Sequence, residues 1–128
     1  MDNLTEFYGE PVYVYSRADA ISDGFLVDVS QMAKEAGFRC PVAVTRTVWE
    51  TYVVPDERAR LRGQSEQGRL WDILWLLREA IRTHGKTFLF QVYFIMKEKQ
   101  IQLVTLKSIC GPGDTPDPVI TIMLPDED

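Results

Sequence analysis

The sequence predicts an α+β fold, in which an antiparallel sheet of three or more strands in the C-terminal half packs on one long helix. Residues 67–84 repeat apolar side chains at three- and four-residue spacing, which is typical of a helix with one buried face. Residues 87–124 contain three β-prone segments separated by polar or turn residues, which is typical of a meander. Short, tightly punctuated segments precede the helix, so short helices are expected in the N-terminal half.

The N-terminal half is predicted to alternate extended segments with short helices. Each helix begins at a capping residue. The helices are expected over 17–22, 31–36 and 46–52, capped by Ser16, Ser30 and Thr45, with stop signals at Asp23-Gly24, Gly37 and Pro55. The extended segments are 12–15, 25–29 and 41–44. The polar interval 56–67 is predicted as a flexible loop or frayed helix.

The long helix is predicted to bury one apolar stripe. The stripe consists of Leu70, Ile73, Leu74, Leu77, Ala80 and Ile81. The opposite, polar face consists of Arg69, Asp72, Glu79 and Thr83. Trp71 and Trp75 lie one turn apart beside the stripe. Because large aromatic side chains contribute much burial, we expect both in the core.

The segment 87–96 is predicted as a central strand, because apolar residues lie on both of its faces. Phe88, Phe90, Val92, Phe94 and Met96 form one face, and Leu89, Tyr93 and Ile95 the other. A polar hairpin over 97–100 leads to strands over 101–109 and 119–124.

Size and composition predict one globular domain over residues 1–128, with loose acidic tails at 1–10 and 125–128. The chain has 128 residues, of which 45% are hydrophobic and 26% charged, as in ordinary globular domains. Cys40 and Cys110 lie far apart, which disfavours a disulfide scaffold or a zinc site. Since signal-peptide features and a membrane-length apolar run are lacking, we expect a cytoplasmic protein without a membrane partner.

Charge is divided unevenly along the chain. Residues 1–35 carry a net charge of −5, residues 36–110 carry +5, and residues 111–128 carry −5. A basic middle between acidic ends indicates a macromolecular partner. The alternative is an ordinary solvated surface, because exposed charges contribute little.

No catalytic, cofactor-binding or metal site is predicted, and no cofactor is expected. His84 fits the last turn of a helix, where a cation is favourable. Asp19, Asp23 and Asp28 could hold a divalent ion, but turns and caps explain them more simply. The glycine-rich segment 111–114 lacks the Lys-Ser/Thr pair of a phosphate loop.

Partner binding is the function for which the sequence offers candidates. These are Arg58, Arg60, Arg62, Arg69, Asp114, Asp117, Asp126, Glu127 and Asp128. The arginines, with Trp71 and Trp75 nearby, could form a basic and aromatic surface for a nucleic-acid strand. The alternative places the tryptophans in the core and pairs the arginines with neighbouring acids.

Three strings resemble a family of uncharacterised small proteins of phages, plasmids and integrative elements. They are Ile21-Ser22-Asp23-Gly24-Phe25-Leu26-Val27-Asp28-Val29-Ser30, Gly68-Arg69-Leu70-Trp71-Asp72 and Gly111-Pro112-Gly113-Asp114, followed by Val119-Ile120-Thr121-Ile122-Met123-Leu124-Pro125. The resemblance spans about 15–128 and implies an accessory protein of a mobile element. It brings no assigned activity and no functional residue.

The first hypothesis is therefore a non-enzymatic interaction protein of a mobile element that inhibits a host defence complex, such as a CRISPR effector or a restriction enzyme. Its partner would be a protein or nucleoprotein complex. The alternative is a nucleic-acid-binding accessory protein that uses the segment 58–62. A small metal-dependent enzyme using Asp19, Asp23 and Asp28 ranks last.

Overall fold

The computed structural model describes residues 14–95 and 100–128. Predictions for 1–10, for residues 12 and 13, for Met96 and for the hairpin residues 97–99 lie outside these residues, and Val14 and Tyr15 of the predicted extended segment are not in a strand. The helices are α1 (Arg17–Ser22), α2 (Ser30–Glu35), α3 (Arg46–Val48), α4 (Glu57–Leu61) and α5 (Glu66–Ile81), and a π-helical turn (Trp49–Val53) continues α3. The strands are β1 (Leu26–Asp28), β2 (Val42–Thr45), β3 (Thr87–Ile95), β4 (Ile101–Pro112) and β5 (Pro118–Met123).

The strands form one five-stranded mixed sheet in the order β1-β2-β5-β4-β3. Strands β3, β4 and β5 make the predicted antiparallel meander. The antiparallel pair of β1 and β2, which are connected through α2, extends this meander. The prediction of an antiparallel sheet is wrong at one junction, because β2 pairs with β5 in parallel.

Local capping chemistry explains where most of the short helices begin. Ser16 and Asp19 form a reciprocal capping box at the start of α1, and Thr45 accepts a hydrogen bond from Val48 N. The predicted loop at 56–67 contains α4, because Asp56 accepts from Ala59 N and nucleates a turn.

The predicted N-cap at Ser30 is wrong. The residue at the N-cap position of α2 is Val29, which makes no side-chain cap. The hydroxyl of Ser30 instead accepts from Val42 N at 3.1 Å and also contacts the Asp28 carboxylate. Ser30 therefore fastens α2 to the start of β2.

The core lies between one face of the sheet and the helices. Leu70, Ile73, Leu74 and Leu77 of α5 are buried there as predicted. The short helices share this face, since the core also contains Ala33 and Ala36 from the α2 region, Val48 and Val53. The prediction that one long helix covers the sheet is thus only partly right. Each fully buried Leu or Ile contributes about 1.5–3 kcal/mol.

Four residues of α5 have the opposite exposure from the prediction. Ile81, predicted on the buried stripe, is exposed at the end of the helix. Arg69 is buried, with 3% of its surface exposed, whereas Trp71 and Trp75 expose 38% and 45%. Arg69 lies four and eight residues before Ile73 and Leu77, so helical spacing puts it on the buried stripe. Because α5 packs on the sheet with one face only, the tryptophans remain outside.

Strand β3 is at the edge of the sheet, which corrects its prediction as a central strand. Its inner face is buried through Phe90, Val92 and Phe94, as expected. The outer face, although apolar, is exposed at Leu89 and Tyr93. No helix among the described residues is long and apolar enough to cross a membrane.

Candidate partner-binding surface

Strand β3 offers an open sheet edge. It pairs through all nine residues with β4, and no other described strand pairs with it. Its sequence, Thr-Phe-Leu-Phe-Gln-Val-Tyr-Phe-Ile, contains no charged residue and no proline. Charges, prolines and bulges are the usual devices that protect an edge from pairing with another chain, and β3 has no charge or proline of this kind.

The outer face of the β3–β4 hairpin adds an apolar surface beside that edge. Tyr93 pairs with Leu103, Leu89 pairs with Lys107, and Ile101 lies two residues before Leu103 on the same face. Leu89, Tyr93, Ile101 and Leu103 expose 54%, 66%, 67% and 45% of their surfaces. These four residues are called the hairpin face below. Together they expose on the order of a few hundred Å² of mostly apolar surface, a size that marks interaction sites.

The ammonium group of Lys107 is held away from the hairpin face. Its Nζ donates to Pro125 O at 3.2 Å and to Glu127 O. The outward pairs Gln91–Thr105 and Thr87–Ile109 of the two strands are uncharged. The edge and the hairpin face therefore form one neutral surface that a partner could cover without burying an unpaired charge.

The four candidate arginines do not form a single basic surface. Arg58 and Arg60 lie on α4 and Arg62 at its end, where Arg60 pairs with Glu66 at 2.9 Å. Arg69 instead points inward, and its Nη1 donates to Tyr52 O at 3.0 Å. Burial lowers the pKa of the Arg69 guanidinium. Arg69 thus ties α5 to the π-helical turn.

The candidate acids fall into two groups at opposite ends of β5. Asp114 and Asp117 precede this strand, whereas Asp126, Glu127 and Asp128 follow it. A strand of six residues is about 20 Å long. The acids therefore do not form one continuous patch.

Asp114 and Glu127 connect distant parts of the fold, whereas the carboxylate of Asp117 accepts only locally, from the Thr115 hydroxyl, among the contacts that the described residues show. Asp114 accepts from Arg17 N at 2.7 Å and from Ala18 N at 3.0 Å, so it satisfies free N–H groups of the first turn of α1. Glu127, in the predicted loose tail, accepts from Thr45 Oγ1 and from Leu124 N, both at 2.8 Å.

The guanidinium beside Asp114 also joins α1 to the sheet. Arg17 donates to Thr121 Oγ1 at 2.6 Å and to Ile120 O at 2.8 Å. Burial lowers the pKa of Arg17, and the charges of Asp28 and Asp114 act in the opposite direction. The glycine-rich loop, α1 and β5 thus form one hydrogen-bonded unit.

The three carboxylates of the metal hypothesis each bind a neighbouring group. Asp19 accepts from Ser16 N, Asp23 from the Tyr15 hydroxyl, and Asp28 from Ser30 N. Across residues 14–95 and 100–128, no three His, Cys, Asp or Glu side chains are grouped to hold a metal ion. These carboxylates act in caps and turns.

The prediction that His84 lies in the last turn of the long helix is wrong, because α5 ends at Ile81 and His84 follows it. The His84 Nδ1 lies 2.8 Å from Ala80 O, and its ring is tilted against Phe88 with centroids 4.9 Å apart. The site residues that sequence reasoning missed are those of the hairpin face. Their signal, an apolar outer face on 87–95, is visible in the sequence, but only the strand order reveals that nothing described covers it.

A family model for proteins of unknown function matches residues 1–128 of the chain. No curated protein and no solved structure gives a significant match.

Proposed function

Since the chain belongs to DUF6573, a family of unknown function, we propose its role from its geometry: it is a non-enzymatic protein-interaction factor. The partner adds an extended segment to the open edge of β3 and covers the hairpin face. The observation that carries this proposal is the uncharged nine-residue edge strand beside four exposed apolar side chains. Strand addition of this kind uses main-chain hydrogen bonds for affinity and alternate side chains for specificity.

The partner in this proposal is a basic protein rather than a second copy of the chain. Each copy carries a net charge of −5, so two copies repel at long range, whereas a basic partner is attracted. Asp117, Asp126 and Asp128 are exposed near the two ends of β5 and add to that attraction.

The resemblance to proteins of mobile elements gives the biological setting of the proposal. The partner is a host defence complex, either a CRISPR effector or a restriction enzyme, and binding inhibits it. Such complexes have basic nucleic-acid grooves, because they neutralise phosphates. An acidic protein that docks through a neutral strand edge can block such a groove, and its binding weakens as salt rises.

A binding assay with purified effector and restriction enzyme tests the proposal. Tyr93→Lys places a charge in the hairpin face, and we expect at least about tenfold weaker binding, because an unpaired charge in an interface costs a kcal/mol or more. The matched control is Leu61→Lys, at an apolar residue of α4 that is 84% exposed and lies away from β3.

Two results would overturn the proposal. The first is that Tyr93→Lys does not weaken binding: either the variant and the parent chain bind the defence complexes equally, or neither of them binds and host immunity is undiminished. In the other, light scattering shows that the parent chain is a dimer and that Tyr93→Lys is a monomer, which would make the hairpin face a self-interface.

A second function, nucleic-acid binding, is favoured by the exposure of the two tryptophans. The guanidinium carbon of Arg78 lies 5.5 Å from the ring centroid of Trp75, and stacked aromatic and arginine side chains are typical of strand-binding surfaces. We rank it second because Arg69 is buried and Arg60 is paired with Glu66.

Salt-titrated binding to single-stranded DNA and RNA tests this second function. Arg58, Arg60 and Arg62 are replaced together by alanine, and a nucleic-acid role predicts a smaller salt slope and weaker binding. Unchanged binding of the triple variant would remove the role of the arginines.

A further inference from the structure

A pocket of about 330 Å³ lies under the C-terminal end of α5, on the opposite side of the sheet from the hairpin face. Its apolar lining includes Phe38, Phe88 and Ile120, and its charged lining is Arg39, Arg78 and Lys86. Small-molecule sites are of this size and combine an apolar interior with a few convergent polar groups. The pocket is separate from the proposed partner surface, since it lies on the other face of the sheet.

The charges of the pocket are all of one sign. No acidic residue is among the lining residues, and the three cations make no ion pair with any residue that the structure describes. A protein with a net charge of −5 therefore concentrates three unneutralised cations around one apolar cavity. Like charges placed together in this way favour binding of an anion.

Arg78 is held in position by its surroundings. Its guanidinium lies over the ring of Trp75 and against the backbone of Gly37, where an added Cβ would be 2.9 Å from Arg78 Nε. Gly37 also has a φ of +102°. A side chain is therefore disfavoured at Gly37 both by the backbone conformation and by the closeness of Arg78. A guanidinium that is fixed before binding loses less freedom when it pairs with an anion.

The two cysteines of the chain also line the pocket. Burial raises the pKa of the Cys40 thiol, and the neighbouring Cys110 raises it further by a smaller amount. Cys40 therefore stays neutral near pH 7 and adds no negative charge. Both are free thiols. They extend the apolar lining, because a free cysteine behaves as a small hydrophobic residue.

We propose that this pocket binds a small amphipathic carboxylate. The apolar body lies on Phe38, Phe88 and Ile120, and the carboxylate faces Arg39, Arg78 and Lys86. Arginine pairs well with carboxylates because its planar fork can donate two parallel hydrogen bonds. The cavity volume of about 330 Å³ lies in the range of small-molecule sites, so octanoate is a suitable probe.

Calorimetric titration of the full chain compares octanoate with 1-octanol and octylammonium, which share its tail. We expect octanoate to bind at least about tenfold more tightly than octanol, and octylammonium most weakly, because only the carboxylate is attracted by the three cations. Amide chemical shifts should change most at Gly37 and Gly85, which border the pocket.

Charge removal at the exposed rim provides the decisive comparison. The double variant Arg39→Gln/Lys86→Gln should bind octanoate about tenfold more weakly. The control Arg46→Gln/Arg62→Gln removes the same charge from exposed residues outside the pocket and should bind like the parent chain. Both variants replace exposed side chains, so folding should be kept.

Several outcomes would overturn the proposal. They are the absence of octanoate binding, equal binding of the three probes, equal loss in the rim variant and its control, or shift changes centred on Leu89 and Tyr93. The last result would assign octanoate to the hairpin face.

Discussion

Asp114 shows how one side chain in a turn can organise residues far from it in sequence. Its carboxylate accepts from the first two N–H groups of α1, 96 and 97 residues away. The sequence predicted a glycine-rich turn at 111–114 and Asp114 as a partner-binding candidate, whereas Gly111 and Pro112 belong to β4 and pair with Val119 and Pro118. The presence of a turn was therefore predictable, but the helix-capping contact of Asp114 was not, because the partner of a long-range hydrogen bond leaves no local pattern.

Replacing Asp114 by alanine should destabilise the protein. The first turn of α1 loses its acceptor, and comparable losses of a helix-capping side chain cost about 1 kcal/mol. Urea unfolding followed by circular dichroism measures the change. Asp117→Ala, in the same loop, should have little effect, and equal losses for both variants would contradict the capping role.

Gly37 and Gly63 allow backbone strain to be separated from side-chain contact. Both have positive φ, +102° and +89°, but only Gly37 faces another group, Arg78, within 4 Å of an added Cβ. Gly63→Ala should cost about 1 kcal/mol through strain alone. Gly37→Ala should cost more because Arg78 must also move. Thermal denaturation gives the comparison, and identical losses would show that Arg78 moves freely.

The ionisation of Asp72 should make the folding stability depend on pH, with a sign that follows from its pKa. Partial burial raises its pKa, in a hollow shared with Met32 and Trp71, although its other side is exposed. A raised folded-state pKa means that the protonated form favours folding, and this contribution is lost as pH rises through that pKa.

The neutral variant Asp72→Asn should therefore unfold at higher temperature than the parent chain at pH 7. The difference should disappear below about pH 3, where the aspartate is protonated in both states. Melting curves across this pH range test the sign. A lower melting temperature for Asp72→Asn at pH 7 would show that the carboxylate is stabilising.

At the level of elements, the sequence predicted best what is encoded locally. The caps at Ser16 and Thr45, the part of the buried α5 stripe from Leu70 to Leu77 and the meander order of the last three strands are short-range patterns, and the structure confirms them. The π-helical turn and the parallel pairing of β2 with β5 were not predictable, because they depend on contacts between distant segments.

The candidate site depends on the position of β3 at the edge of the sheet. This position also depends on contacts between distant segments. An apolar pattern on both faces of 87–95 is shared by a buried central strand and an unprotected edge strand. The sequence alone favoured the former. Only the insertion of β5 between β2 and β4 places β3 at the edge.

Arg69 connects two elements, and its replacement should loosen both. Arg69→Met keeps the packing of the side-chain stem but leaves Tyr52 O without the donor at 3.0 Å, which should cost about 1–3 kcal/mol. Arg62→Met, at the exposed end of α4, should stay within about 0.5 kcal/mol of the parent chain. Chemical denaturation measures both, and a neutral Arg69→Met would return Arg69 to the surface candidates.

At the scale of the whole molecule, the last residues help to fix the centre of the sheet. Glu127 links the junction of β2 and α3 to the end of β5 through Thr45 and Leu124. Glu127→Ala should lower the free energy of unfolding by about 1–2 kcal/mol through two lost hydrogen bonds. Asp126→Ala serves as the control, and an unchanged midpoint for Glu127→Ala would mean that the C-terminal residues contribute nothing.

The position of β5 between two antiparallel strand pairs also governs when the chain can complete its sheet during synthesis. The β1–β2 pair leaves the ribosome first and the β3–β4 pair later, but neither pairs with the other. They join only through residues 118–123, the last of the five described strands to be made. Until then, both pairs expose unpaired edges, and nascent chains with such edges associate wrongly or require chaperones. The molecule therefore cannot complete its sheet before β5 has been made.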